Sequence, residues 1–264
     1  MEITSLKNAR VKHLTDLQEK SRNRRKEGLF VIEGPREIKL ALAGGYQLAE
    51  VYNCPDIKSE EKDEVLSQLN SSTPYFQLSI PVFEKLAYRS SVGGLLAVAK
   101  TKSLKLEDLT LAKNPLILVC EGVEKPGNLG ALLRTADAAK LDAFIICDPK
   151  ADFYNPNVIR SSVGCVFTQP VAAASSEETI AFLKSKEIKT YACALSAKHR
   201  YDQPDYTRPS AFVMGTEATG LSEDWLNAAD EGIIIPMRGE IDSLNVSVSA
   251  AIVVFEASRQ RGFC

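Results

Sequence analysis

The sequence predicts an α/β protein: a parallel-sheet domain in the C-terminal part of the chain, preceded by a smaller α/β domain. Three observations carry this. Beyond Asn114-Pro115, apolar β-branched runs at 116–120, 143–147, 190–194, 211–214 and 232–235 alternate with helix-patterned segments at 128–139, 156–163, 177–185 and 247–260. Strands this apolar, separated by helices, belong in a parallel sheet covered on both faces. Residues 101–113 lose periodicity and carry charge, as a linker does, dividing the chain into 1–106 and 107–264.

In the first domain the pattern reads as a strand at Leu29–Glu33, a helix at Pro35–Ala43 stopped by Gly44-Gly45, and a strand at Leu48–Asn53. A charged helix at 57–69, a strand at Tyr75–Leu78, a helix at 82–89 and a strand at 94–99 complete it. No catalytic constellation stands out in this domain. Its distinctive feature is charge: between Lys7 and Arg36 there are nine Lys/Arg against four Asp/Glu, densest at Arg22, Arg24, Arg25 and Lys26. Such a cluster is either a solvated face or a patch that tracks phosphates.

Bulk properties exclude several classes. A net charge of −2 over 264 residues rules out a globally polyanion-binding protein, so any nucleic-acid surface is local. Six cysteines without CxxC spacing, mostly inside apolar runs, read as reduced core residues. Two histidines, His13 and His199, leave little material for a zinc site or a histidine triad, and no metal is expected. Residues 1–30 are charged throughout and no apolar run approaches about 18 residues, so neither a signal peptide nor a membrane span is expected and a cytoplasmic place is.

The chemistry concentrates in loops that follow strands, where ligands sit in open α/β sheets. At 121–136 a glycine-rich turn opens a helix, with Asn128 suited to its N-cap and Arg134 on an apolar helix, the placement of a side chain that meets a phosphate or carboxylate. The turn is neither GxGxxG nor a P-loop, which removes the sequence basis for a nicotinamide-dependent oxidoreductase. At 214–222 two glycines flank Glu217, and pairing of Glu217 with Arg134 is expected. At 233–247 an apolar strand stops at Pro236, a polar loop follows, and Ser/Asn cap signals open a helix. That loop is polar between buried segments, so its backbone groups need partners, which a bound ligand supplies. Trp225, Tyr201 and Tyr206 are candidates for base stacking or for core packing.

Asn128-x-Gly130-x-x-x-Arg134, Gly215-Thr216-Glu217-Ala218-x-Gly220-Leu221 and Ile235-Pro236-Met237 through Ser243-Leu244-Asn245-Val246-Ser247 resemble, in this order, the three motifs of the SpoU (TrmH-like) RNA 2′-O-ribose methyltransferases of the SPOUT superfamily. Upstream, residues 24–34 resemble the start of the substrate-binding domain fused to many members. The resemblance implies a deep trefoil knot, which general topology rules would not foresee. It implies S-adenosylmethionine held largely by backbone groups, at Leu195, Ser196, Gly215, Gly220, Ile235, Met237, Leu244 and Asn245, and a homodimer. It places Asn128, Arg134, Glu217, Ser243 and Asn245 at the reaction centre, and Arg22, Arg24, Arg25, Lys26 and Arg160 on RNA. Because a guanidinium scarcely deprotonates, Arg134 is expected to position a phosphate and stabilise the developing alkoxide, held by Glu217, while Ser243 and Asn245 orient the ribose or shape the loop around the cofactor. Ribosomal RNA is the favoured substrate; transfer RNA, or an RNA-binding protein without catalysis, are the alternatives.

Overall fold

Residues 2–88 and 93–263 are described in a computed structural model. In chain order the elements are β1 (Glu2–Ile3), α1 (Ala9–Glu19), α2 (Ser21–Glu27), β2 (Leu29–Glu33), α3 (Pro35–Ala43), β3 (Leu48–Asn53), α4 (Glu60–Ser67), β4 (Tyr75–Leu78), α5 (Ile80–Leu86) and β5 (Leu95–Lys100). They continue with β6 (Leu116–Glu121), α6 (Pro126–Ala138), β7 (Ala143–Cys147), α7 (Pro156–Ser161), β8 (Val171–Ala174), α8 (Ser176–Ser185) and β9 (Lys189–Cys193). The last are β10 (His199–Arg200), β11 (Ser210–Met214), α9 (Glu223–Ala228), β12 (Glu231–Ile234) and α10 (Val246–Gln260). Two compact units emerge: residues to Lys102 together with Asp152–Thr168, and Ser103–Ala151 together with the residues from Gln169.

The first unit is built on a mixed sheet in the order β1-β4-β3-β5-β2, with β5 antiparallel to both β2 and β3. Pro35 at the first turn of α3 follows Gly34, whose φ of +98° is open to glycine. At the other end Gly44 stops α3 where a Cβ would meet the Phe167 carbonyl oxygen at 2.0 Å. Charge hides α1 from a quick reading, although Val11, Leu14 and Leu17 repeat on one buried face and Asn8 caps it through Arg10 N. The helix expected at 57–69 is the shorter α4, because Ser59 caps it by accepting from Lys62 N. That expected at 82–89 begins earlier, at Ile80 with Pro81 in its first turn; its expected end, Arg89, lies outside the described residues. Phe30 stacks on Tyr154 with ring centroids 4.3 Å apart, one of the contacts by which 152–168 groups with this unit.

The second unit carries an all-parallel sheet in the order β10-β12-β9-β11-β6-β7-β8. Every residue of β6, β7 and β11 is buried, as a sheet covered on both faces requires. Strand β8, Val-Ala-Ala-Ala, was not legible because alanine carries no strand signature, yet it pairs in register with β7. Cys54, Cys120 and Cys147 are buried thiols, and Cys165 and Cys193 are partly buried; Cys264 lies outside the described residues. Among the described residues no helix is long and apolar enough to cross a membrane.

Candidate functional site

Because the sheet is parallel, β12, β9, β11 and β6 release their carboxyl ends at one edge as four neighbours. Register keeps those ends level: Met214 lies opposite both Cys120 and Cys193, and Ile233 opposite Cys193. The loops 122–125, 194–198, 215–222 and 235–245 therefore emerge side by side, bringing the three motifs together.

The first loop turns at Gly122, with φ +60°, into α6. Lys125, not Asn128, occupies the N-cap of α6, because Pro126 fixes the first helical position. Asn128 sits one turn later with its side chain free for other work. Arg134 is exposed, and among the described residues its guanidinium has no hydrogen-bond or ion-pair partner.

The second loop is a tight turn in which Thr216 N donates to Gly220 O (2.9 Å) and Gly220 N returns a bond to Thr216 O (3.1 Å). Gly215 has to be glycine here, since a Cβ would lie 2.2 Å from the Gly220 carbonyl carbon. At the tip Glu217 forms an ion pair with Lys125 rather than the expected one with Arg134. The lysine at the α6 cap reaches the turn directly, whereas Arg134 lies two turns further along the helix.

A group that sequence reasoning missed supports this turn. Glu121, 8% exposed at the end of β6, accepts from Ser222 N (2.9 Å) just after the turn and from Ser176 Oγ (3.3 Å). The single Ser176 hydroxyl proton is shared with Asp148 Oδ2, the nearer acceptor at 2.7 Å, and Ser176 Oγ accepts from Trp225 Nε1 (2.9 Å). A carboxylate ending an otherwise apolar strand was the available signal.

The third loop ends at Asn245, which caps α10 by accepting from Ser247 N (3.0 Å) and donates through Nδ2 to Asn128 Oδ1 (3.2 Å). Asn128 Nδ2 is buried without a partner. Ser243 is exposed, and its Oγ donates to its neighbour Asp242 Oδ1 (2.9 Å). Among the described residues, no backbone group from 235 to 244 is hydrogen-bonded within the protein, although Ile235, Met237 and Leu244 are half-buried. Leu195 and Ser196, in the adjacent loop, are exposed and likewise lack backbone partners. A row of unpaired backbone donors and acceptors and an orphaned buried amide fit a polar, nucleoside-sized ligand.

The basic residues of the first unit divide. Arg22, Arg25 and Lys26 on α2 are exposed. Arg24, expected on RNA, is 2% exposed and spent internally: its guanidinium pairs with Asp152 (2.6 Å) and donates to the carbonyls of Leu17 (2.6 Å) and Gln18 (2.9 Å). Its place on the helix turned it inward, which the charge count alone does not reveal. Arg160 is half-buried, bonded to Asn157 Oδ1 (2.7 Å) and stacked 3.7 Å above the Tyr88 ring. Trp225 and Tyr206 are both fully buried and pack the core instead of offering faces to bases.

Residues 115–255 match the family described as the SpoU rRNA Methylase family, and residues 8–97 match the MRM3-like substrate binding domain. The chain is 31% identical over 254 residues, 96% of its own length and 98% of the relative's, to the 23S rRNA (guanosine(2553)-2′-O)-methyltransferase of Bacillus subtilis. Among solved structures it is similar to an RNA 2′-O ribose methyltransferase at 39% identity and a TM-score of 0.86, covering 99% of both chains. It is also similar to an S-adenosylmethionine-bound rRNA methyltransferase from Sinorhizobium meliloti, at 26% identity and a TM-score of 0.89 over 98% of this chain and 97% of that one.

Proposed function

The chain belongs to the SpoU rRNA methylase family, and from that membership we propose that it methylates the 2′-hydroxyl of one ribose in large-subunit ribosomal RNA, in the cytoplasm. It is an S-adenosylmethionine-dependent RNA 2′-O-methyltransferase. The observation that carries the reading is the Asn245–Asn128 bond, which closes the first and third motif loops on each other beside ten residues of unpaired backbone.

Bound there, S-adenosylmethionine supplies an electrophilic methyl group. Backbone groups of 195–196, 215, 235, 237 and 244 would hold it, with Gly220, whose own backbone groups are taken by Thr216, shaping the turn beside it, and the Asn128 and Asn245 amides would orient the acceptor ribose. Arg134, exposed and unpartnered, takes the neighbouring phosphate and stabilises charge developing on O2′; its guanidinium stays protonated, so the proton leaves to phosphate or solvent. Glu217 acts through Lys125, holding the second loop against the start of α6. Ser243 comes to the ribose only if its loop rearranges around the ligands.

The N-terminal unit is the RNA-holding part, with Arg22, Arg25 and Lys26 as phosphate contacts. A homodimer is supported by α10, whose Val248, Ala251, Ile252 and Phe255 form one incompletely buried apolar stripe at i, i+3, i+4, i+7 spacing. The C-terminal segment threads the knot the family resemblance implies. The deciding experiment gives the protein methyl-labelled S-adenosylmethionine and total RNA from a strain lacking this gene. Label at one alkali-resistant linkage in large ribosomal RNA is the expected result. Cofactor binding without label in any RNA, naked or in ribosomal subunits, would overturn the assignment.

A further inference from the structure

We propose that the N-terminal unit carries a pocket for one unstacked guanine of the RNA, read by the Glu37 carboxylate and stacked at the Tyr88–Arg160 rim. The proposal rests on the RNA-methyltransferase reading and adds a base-specific contact away from the reacting ribose.

A cavity of about 220 Å³ lies wholly within this unit, among Gln18, Val31, Glu37, Tyr88, Ile159 and Arg160. Val31 and Ile159 give it buried apolar walls. At its rim Tyr88 is 68% exposed, an unusual place for a large aromatic side chain, with the Arg160 guanidinium lying 3.7 Å from its ring centroid. The guanidinium is also held by Asn157, whose Oδ1 accepts from Arg160 Nη2 at 2.7 Å. A flat, cation-backed ring held open to solvent is a surface on which an unstacked base gains stacking energy.

Inside, Glu37 is half-buried and, among the described residues, has no hydrogen-bond partner beyond its own backbone. Burial pushes its carboxyl above the usual carboxylate range. A carboxylate that has lost water regains free energy from N–H donors aimed at both oxygens. Guanine supplies two parallel donors, N1–H and the 2-amino group, and so matches both oxygens at once. Adenine and cytosine set one amino group beside an acceptor, and uracil offers a single N–H between two carbonyls, so each leaves a carboxylate oxygen unpaired or repelled. The contact needs no cofactor and no movement of the catalytic loops.

The test uses the full chain and four labelled uridine decamers carrying guanosine, inosine, adenosine or uridine at the centre, with binding read by fluorescence anisotropy. The guanosine decamer is expected to bind roughly tenfold tighter than the uridine one, with inosine, which lacks the 2-amino group, in between. Glu37→Gln, which keeps the side chain's size, and Tyr88→Ala bring all four decamers to one affinity, with S-adenosylmethionine binding and thermal unfolding unchanged. Equal binding of all four by the wild-type chain, or a guanosine preference that survives Glu37→Gln, overturns the pocket. Equal binding alongside successful ribosomal RNA methylation would sink the pocket alone, whereas absent methylation with intact cofactor binding would sink the function it rests on.

Discussion

At the scale of single residues, Asn245 holds two jobs that substitution separates. It caps α10 through Oδ1 and joins α6 through Nδ2. Asn245→Asp keeps an acceptor for the cap and loses the amide donor, so stability holds while turnover falls; Asn245→Ala loses both and costs about 1 kcal/mol of stability as well. Urea unfolding beside a methyl-transfer assay distinguishes the two, and equal turnover in Asn245→Asp and wild type would remove the amide from the mechanism. Arg134→Lys keeps the charge but not the fork, so kcat is expected to drop roughly 100-fold with cofactor affinity unchanged. Gly215→Ala forces a Cβ to within 2.2 Å of backbone. Relieving that contact shifts the turn at a cost of about 1–3 kcal/mol, and calorimetry should show cofactor affinity reduced by about tenfold or more.

At the scale of elements, ends and clasps matter more than interiors. Arg261, just past α10, donates to the carbonyls of Tyr206 (2.8 Å), Asn114 (2.9 Å), Pro115 (3.3 Å) and Arg208 (2.5 Å). It pins the last helix to the segments that lead into β6 and β11, at a partly buried site that lowers its pKa by desolvation. Arg261→Met leaves the Tyr206 and Asn114 carbonyls without a partner, while those of Pro115 and Arg208 keep Ser210 as a donor, and is expected to destabilise by about 2–3 kcal/mol, read from the urea midpoint. Helix α8 opens with a capping box in which Glu178 Oε2 accepts from Ser175 N (2.8 Å). That bond holds the Glu178 carboxyl below its ordinary 4.5. Since the folded pKa is the lower one, the box stabilises fully above the unfolded value and weakens as pH falls through the folded pKa. Amide exchange at the start of α8 should accelerate across that acid range in the wild type and change little in Glu178→Gln.

At the scale of the whole molecule, the proposed homodimer makes the apolar stripe of α10 the place to test whether activity depends on assembly. Val248→Asp with Phe255→Asp places charge on that stripe without touching the buried face of the helix, formed by Val246, Ala250, Val253, Val254 and Ala257. Light scattering should then report a monomer in place of a dimer, and methyl transfer should fall with it; a wild-type monomer that is fully active would end the dimer proposal. The division of labour between units is equally open to measurement. Charge reversal at the exposed Arg22, Arg25 and Lys26 should raise the KM for RNA and flatten its salt dependence without moving cofactor affinity, whereas Arg24→Glu should unfold the unit that buries it.

What the sequence determined by itself was local and periodic. β2, α3, β3, β4 and β7 were legible to the residue because apolar alternation, Pro at a first turn and paired glycines at a stop act over a few neighbouring positions. The three motif loops were legible as loops after strands, and the parallel sheet brought them side by side. Only the tertiary structure decided the partners. Lys125 took Glu217 from Arg134, Arg24 turned to Asp152, and the segment 152–168, patterned like any other helix and loop, packed with the first unit. Each outcome depends on which side chain a distant segment brings within hydrogen-bonding reach, and that distance is set by packing rather than by sequence spacing.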